Sequence, residues 1–189
     1  SANWCYRSEP EEATNGRPIP VPRGRLLGGS SSINGMVYVR GQQLDFDTWA
    51  QLGNRGWSYA DVLPIFKRME DYDGGDELRG QDGPLRVRIV DDQNPLYAAL
   101  LNAGSELGLP DNPDYNGAEQ EGIVRTQATI SNGRRQSAAY AYLDPIRGRK
   151  NLTIFTEAEV QSLILDKGAC TGVAVRIKGQ NHTLKATRG

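Results

Sequence analysis

Apolar positions along the chain change their spacing from one stretch to the next, and the changes mark out elements. Val62, Ile65, Phe66 and Met69 fall at 0, +3, +4 and +7, which predicts a helix opened by Ser58 as N-cap and kinked or delayed by Pro64. Leu44, Phe46, Trp49 and Ala50 predict a shorter helix ahead of it that ends near Gly53. Leu85-Arg86-Val87-Arg88-Ile89 alternates as a half-buried strand does. Asn94 and Pro95 then supply a cap and a first helical residue; Leu96, Ala99, Leu100, Ala103 and Leu107 form the expected buried stripe, and Gly108 with Pro110 stops the helix. Residues 123–130 read as a strand entering a turn at Asn132-Gly133, and Ser137 is placed to cap a helix through Ala138, Ala141, Tyr142 and Ile146. From there the pattern is β: strands over 152–156, 160–166, 172–177 and 182–186, with turns at Lys167-Gly168 and Gly179-Gln180-Asn181. Helices and strands alternate without the rhythm of a doubly wound sheet, so the expected class is α+β, or a slice through a larger α/β protein with a C-terminal antiparallel meander. The irregular opening over 3–22, rich in proline, and a close directly after a strand favour the slice.

One stretch resists this reading. Residues 24–41, Gly-Arg-Leu-Leu-Gly-Gly-Ser-Ser-Ser-Ile-Asn-Gly-Met-Val-Tyr-Val-Arg-Gly, combine bulk-free backbone with a following apolar run that anchors it. Gly28 and Gly29 let main-chain N–H groups close on a polar or anionic ligand, and three serines add hydroxyls without charge.

Composition narrows the function classes. In 189 residues, 22 Lys and Arg face 23 Asp and Glu, leaving a net charge of -1, so no global field draws the chain to nucleic acid or an anionic surface. Cys5 and Cys170 stand far apart with no histidine companion, which fits neither a zinc site nor a disulfide scaffold and points to a reducing compartment. Asp71, Asp73, Asp76 and Glu77 crowd a turn without calcium-loop spacing, so no metal site is expected. No apolar run reaches the length of a membrane span.

Over residues 24–47 the sequence resembles the glucose-methanol-choline (GMC) flavoprotein oxidoreductases. Gly24, Arg25, Leu27, Gly28-Gly29, Ser30-Ser31, Ile33, Asn34, Tyr38, Gly41 and Asp47 fill every slot of that family's first signature. Trp4, Ser8-Glu9-Pro10, Trp57-Ser58, Gly83-Pro84, Asn94-Pro95-Leu96, Gly133-Arg134-Arg135, Ser137 and Asn151-Leu152-Thr153 carry the resemblance across nearly the whole chain, which looks most like the branch of choline dehydrogenases and bacterial alcohol dehydrogenases. In the family this segment lies along FAD, so the resemblance implies FAD contacts from Leu27, Gly29, Ser30, Asn34, Gly35, Met36 and Val37, with Val160 at the adenine. Where some members carry a flavin-bonding histidine this chain has Ile33, which implies noncovalent FAD. It further implies a small-molecule alcohol oxidised to an aldehyde, choline first among candidates, and a cytoplasmic enzyme or one peripheral to the inner face of a bacterial membrane. Three stretches follow: 1–57 as the FAD-contacting segment, 58–150 as the helical, substrate-side segment, and 151–189 as strands of the FAD-binding domain.

Neither the family's Gly-x-Gly-x-x-Gly nor its catalytic histidine motif occurs in these residues, so no catalytic residue is assigned. The chain by itself is expected to lack turnover, to hold FAD weakly or not at all, and to dimerise through exposed apolar surface. A reading from another class is a non-catalytic interaction or scaffold module that keeps the loop as a relic. His182, the one histidine, reads as a solvated strand residue; Arg134-Arg135 as a solvated basic pair; Trp4, Trp49 and Trp57 as core packing.

Overall fold

Ser58 opens α2 (Tyr59–Met69) as the spacing predicts: its hydroxyl accepts from the Asp61 N–H while Asp61 reaches back to the Ser58 N–H. Pro64 is accommodated inside the helix. The preceding α1 (Gln43–Gln51) is tied to it by Asp47, whose carboxylate accepts from the Tyr59 N–H at 2.9 Å, and by Phe46, which is buried against Trp49, Tyr59 and Phe66. Trp49 and Trp57 stay about half exposed at the rim of this aromatic group, so the core-packing reading holds for only one side of each ring.

The computed structural model describes residues 1–90 and 93–188, which fall in two units, Ser1–Ile146 and Arg147–Gly189. In the first, the extended N-terminal stretch forms a small hairpin of β1 (Tyr6–Arg7) and β2 (Pro20–Val21). The last turn of α2 runs straight into β3 (Glu70–Tyr72), which pairs in parallel with β4 (Leu85–Ile89); β4 pairs antiparallel with β5 (Gln127–Ala128). The connection from β3 to β4 folds back over the end of α2 so closely that a Cβ at Gly80 would sit 1.9 Å from the Lys67 carbonyl oxygen. A second hairpin joins β6 (Ile130–Ser131) to β7 (Arg134–Arg135) through Asn132-Gly133, both at positive φ as a two-residue turn of that hand requires.

Several expectations need correction. The strand over 123–130 is broken into an isolated bridge at Ile123, β5 and β6, because residues 129–131 turn from one partner to another. Helix α3 (Pro95–Glu106) is capped by Asn94 as expected, yet Leu96, Leu100 and Leu107 are 71, 59 and 81 % exposed, and Gly104 is the buried residue, against Ile123. The helix is apolar nearly all round, so its periodicity does not choose a face. Past Ser137 the chain forms a π-helical turn (Ala139–Leu143) and a 3₁₀ turn (Asp144–Ile146) rather than an α-helix, with Pro145 removing a backbone donor.

The second unit is a meander of β8 (Ala158–Asp166), β9 (Ala169–Ile177) and β10 (Gln180–Lys185), in the order β10-β9-β8. Lys167-Gly168 makes the first turn as predicted; the second is Lys178-Gly179, one residue earlier than read. The expected strand over 152–156 is absent from the sheet, since Glu157 takes a positive φ and redirects the chain before β8 begins. Mixed helices followed by an antiparallel meander are the α+β arrangement expected of a portion of a larger flavoprotein fold.

Candidate functional site

The glycine-serine stretch folds into a tight 3₁₀ turn (Gly29–Ser32) that closes back on its own start. A Cβ at Gly24 would lie 2.2 Å from the Gly29 carbonyl oxygen, so only glycine permits the crossing. The serines mostly hold the loop together. Ser31 donates to the Gly28 carbonyl and accepts from the Ala138 N–H at 2.8 Å, and Ser32 donates to the Leu27 carbonyl at 2.9 Å. Ser30, on the exposed side, accepts from the Gly24 N–H and keeps its own hydroxyl proton for another partner.

Beyond the turn and the left-handed Met36 the chain runs over 37–40 with alternating exposed and less exposed residues. Met36 and Tyr38 are pinned inward: the Met36 carbonyl accepts from Thr129 N–H at 2.8 Å, the Tyr38 N–H donates to the Gln127 carbonyl at 2.9 Å, and the Tyr38 carbonyl accepts from the Tyr115 hydroxyl and the Asn116 amide. Val37 and Val39 therefore point outward, 59 and 58 % exposed. Asn34 and Gly35 are also exposed, and around a Cβ built on Gly29 or Gly35 no atom lies within 4 Å. Ser30, Asn34, Gly35 and Val37 are thus exposed, with open space beside Gly29 and Gly35, while Leu27 and Met36 are half-buried. Met36 sits at φ 66, a left-handed conformation that a non-glycine residue keeps only where its surroundings hold it. Val160 lies in the second unit, on β8 opposite Val175, 56 % exposed.

What holds this segment is a buried ionic network that the sequence reading did not find. Glu70, fully buried, pairs with Arg40 and takes Arg79 through both carboxylate oxygens, at 2.9 and 3.2 Å, with the Gly80 N–H as a further donor. Arg79 also reaches Asp114, donates to Gln127 Oε1 at 3.1 Å and stacks 3.8 Å over the Tyr72 ring. Gln127, itself fully buried, donates to Asp114 at 2.7 Å and accepts from Asn116 at 2.9 Å; Asn116 accepts the Arg40 N–H at 2.7 Å. Two cations meet two anions, so the cluster is neutral. Burial disfavours the charged form of Arg79, but the hydrogen bonds it donates to Glu70 and Asp114, together with their negative charge, outweigh it and hold its pKa above the ordinary value. Burial, reinforced by the charge on Glu70, pushes the Tyr38 phenol up to about 12. No periodicity flags these residues, because they come from five separate stretches of the chain, around 40, 70, 79, 114–116 and 127.

Arg135 is the other surprise. Far from being a solvated cation, it reaches from β7 to the Ser31 carbonyl (3.2 Å), the Asn34 carbonyl (2.8 Å) and the Asn34 side-chain Oδ1 (2.7 Å). Arg134 lies over the Tyr140 ring at 4.1 Å, and His182 is exposed on β10 as expected. The donor set suits a large polar cofactor laid flat: small residues for close approach, a hydroxyl, an outward amide and flanking valine surface. Among the described residues there is no cluster of His, Cys, Asp and Glu able to hold a metal, and no helix long and apolar enough to cross a membrane.

Comparison with known proteins supplies the family. The chain is 50% identical over 187 residues to an oxygen-dependent choline dehydrogenase of Rhizobium etli and 48% identical over 187 residues to one of Brucella ovis. In each case the match covers 98% of this chain but 34% of the relative, so the chain spans about a third of the length of these proteins. Among solved structures it superposes on pyridoxine 4-oxidase from Mesorbium loti with a TM-score of 0.92 and 38% identity, covering 98% of this chain and 37% of that one. An FAD-dependent oxidoreductase from Chaetomium thermophilum gives a TM-score of 0.90 at 26% identity, covering 98% and 35%. The GMC oxidoreductase family model matches residues 10–188, glycine loop, ionic network and meander together, and the chain therefore belongs to the GMC oxidoreductase family.

Proposed function

We propose that this chain is the flavin-contacting middle segment of an FAD-dependent dehydrogenase that oxidises a CH–OH group to an aldehyde, with choline or a related small alcohol as substrate. The carrying observation is the open surface at Gly29 and Gly35, flanked by the exposed amide of Asn34. Leu27, Gly29, Ser30, Asn34, Gly35, Met36 and Val37 would hold FAD, and Val160 would meet its adenine. When bound, FAD supplies the acceptor for hydride leaving the alcohol's α-carbon. The part played by these residues is positional: glycines admit close approach, the Ser30 hydroxyl and Asn34 amide donate, and the pinned 36–40 segment keeps the surface from yielding. Ile33 offers no nucleophile, which supports noncovalent attachment.

Choline rather than another alcohol is supported by identity to the choline dehydrogenases alone. Two free cysteines, Cys5 and Cys170, suit a reducing cytoplasm. The segment alone is expected to be inactive and to self-associate through exposed leucines such as Leu96, Leu100 and Leu107. The test is purification of the complete protein that contains this chain, followed by acid precipitation and anaerobic mixing with choline. Flavin is expected in the supernatant and bleaching of its visible absorbance on mixing. A colourless protein, or flavin retained in the pellet, would overturn the reading.

A further inference from the structure

The side-chain oxygen of Asn34 accepts two hydrogen bonds, from Arg135 Nη1 at 2.7 Å and from the Met36 backbone N–H at 3.1 Å. Both partners are obligate donors. Turning the amide over would set its NH₂ against a guanidinium N–H and a peptide N–H, so the flipped form is excluded by repulsion between donors. Asn34 is therefore not the ambivalent group its residue type suggests. Its oxygen is consumed on the protein side, and its exposed face offers two N–H donors and nothing else. Arg135 also holds the Ser31 and Asn34 carbonyls, so one nitrogen sets both the loop's backbone and the sense of its amide. Its own position is fixed by the β6–β7 hairpin, where it pairs with Ile130 across the Asn132-Gly133 turn.

We infer that Arg135 is a positioning residue that makes Asn34 a donor-only group toward the cofactor and substrate, favouring whichever bound atom gains negative charge. This rests on the reading of the 24–41 loop as a flavin surface. Reduction places negative charge on the flavin, and deprotonation places it on the alcohol oxygen; a fixed donor stabilises either, and a freely rotating amide does so less.

A double-mutant cycle in the complete, FAD-loaded protein tests it, with R135M, R135K, N34A and N34A/R135M compared by FAD dissociation constant, flavin midpoint potential, kcat and KM. R135M is expected to shift the two-electron reduction equilibrium roughly tenfold toward oxidised flavin, about 30 mV. It is also expected to lower kcat about tenfold while KM and FAD affinity change less than about threefold, with R135K recovering most of the loss. In the N34A background the R135M substitution is expected to change nothing further, since the group it orients is gone. Full-size, additive effects of R135M in that background overturn the inference and leave Asn34's role standing. FAD loss in R135M in proportion to the activity loss overturns it too, by making Arg135 a structural support. If R135M does not fold, R135Q and N34A/R135Q, which keep a polar side chain but remove the guanidinium, carry the same comparison. Unchanged potential and kcat in N34A would sink the flavin-surface reading of Asn34 and this inference with it.

Discussion

Arg79 and Glu70 meet side by side, Nε on Oε1 at 2.9 Å and Nη2 on Oε2 at 3.2 Å, with both side chains wholly withdrawn from solvent. Because Arg40 shares the same carboxylate and Asp114 the same guanidinium, neither charge can be removed without stranding another. E70Q should therefore destabilise the protein by about 3–5 kcal/mol, the range for breaking a buried pair from one side. Thermal and urea unfolding of the holoprotein measure it; a loss below about 1 kcal/mol would contradict the picture of a fully committed network.

Alkaline stability follows from Tyr38. Its phenol is raised from 10.0 to about 12 in the fold, and its hydroxyl has no hydrogen-bond partner. A group whose folded pKa is raised stabilises fully below its unfolded pKa and loses that contribution as pH climbs through the folded one. The window is thus pH 10 to about 12, with on the order of 2 kcal/mol at stake. Y38F should remove that part of the fall while costing less than about 1 kcal/mol near neutrality, since no bond is lost. Melting temperatures across the window, wild type against variant, decide it. Tyr72, Tyr115 and Tyr142, also raised by burial, act in the same direction.

Two glycines eleven positions apart should separate folding from ligand contact. A Cβ on Gly24 strikes the Gly29 carbonyl at 2.2 Å, whereas one on Gly35 meets nothing within 4 Å. G24A is expected to unfold or distort the loop and lower the melting temperature. G35A should leave the melting temperature of the apoprotein within about 2 °C, yet weaken FAD by tenfold or more, if flavin lies where the side chain would project. Equal FAD affinity in G35A and wild type, by fluorescence titration, would move the flavin elsewhere.

The cap on α2 gives a modest, clean effect. S58A removes the acceptor for the Asp61 N–H and should cost about 1 kcal/mol in chemical denaturation, with flavin content unchanged.

How far could the residues be read in advance? Local chemistry was legible: Ser58 and Asn94 as caps, Asn132-Gly133 and Lys167-Gly168 as turns, and the loop over 24–41 through its spaced signature. Faces were less so. Leu96, Leu100 and Leu107 look like a core stripe and are exposed, because their helix is apolar on several sides and its spacing does not choose the buried one. The support for the site was illegible. Arg40, Glu70, Arg79, Asp114 and Gln127 are separated by up to 87 positions in sequence, and each alone looks like a solvated polar residue in its own segment. Arg135 was misread for the same reason: its three acceptors lie about a hundred residues upstream.

That separation has a temporal side. Asn34 is joined to the growing chain 101 residues before Arg135. At roughly 5–20 residues per second, several seconds or more pass in which the nascent loop lacks its guanidinium clamp. A chain assembled this way completes its loop late, only once the hairpin has emerged and docked, and until then nothing fixes which way the amide of Asn34 faces.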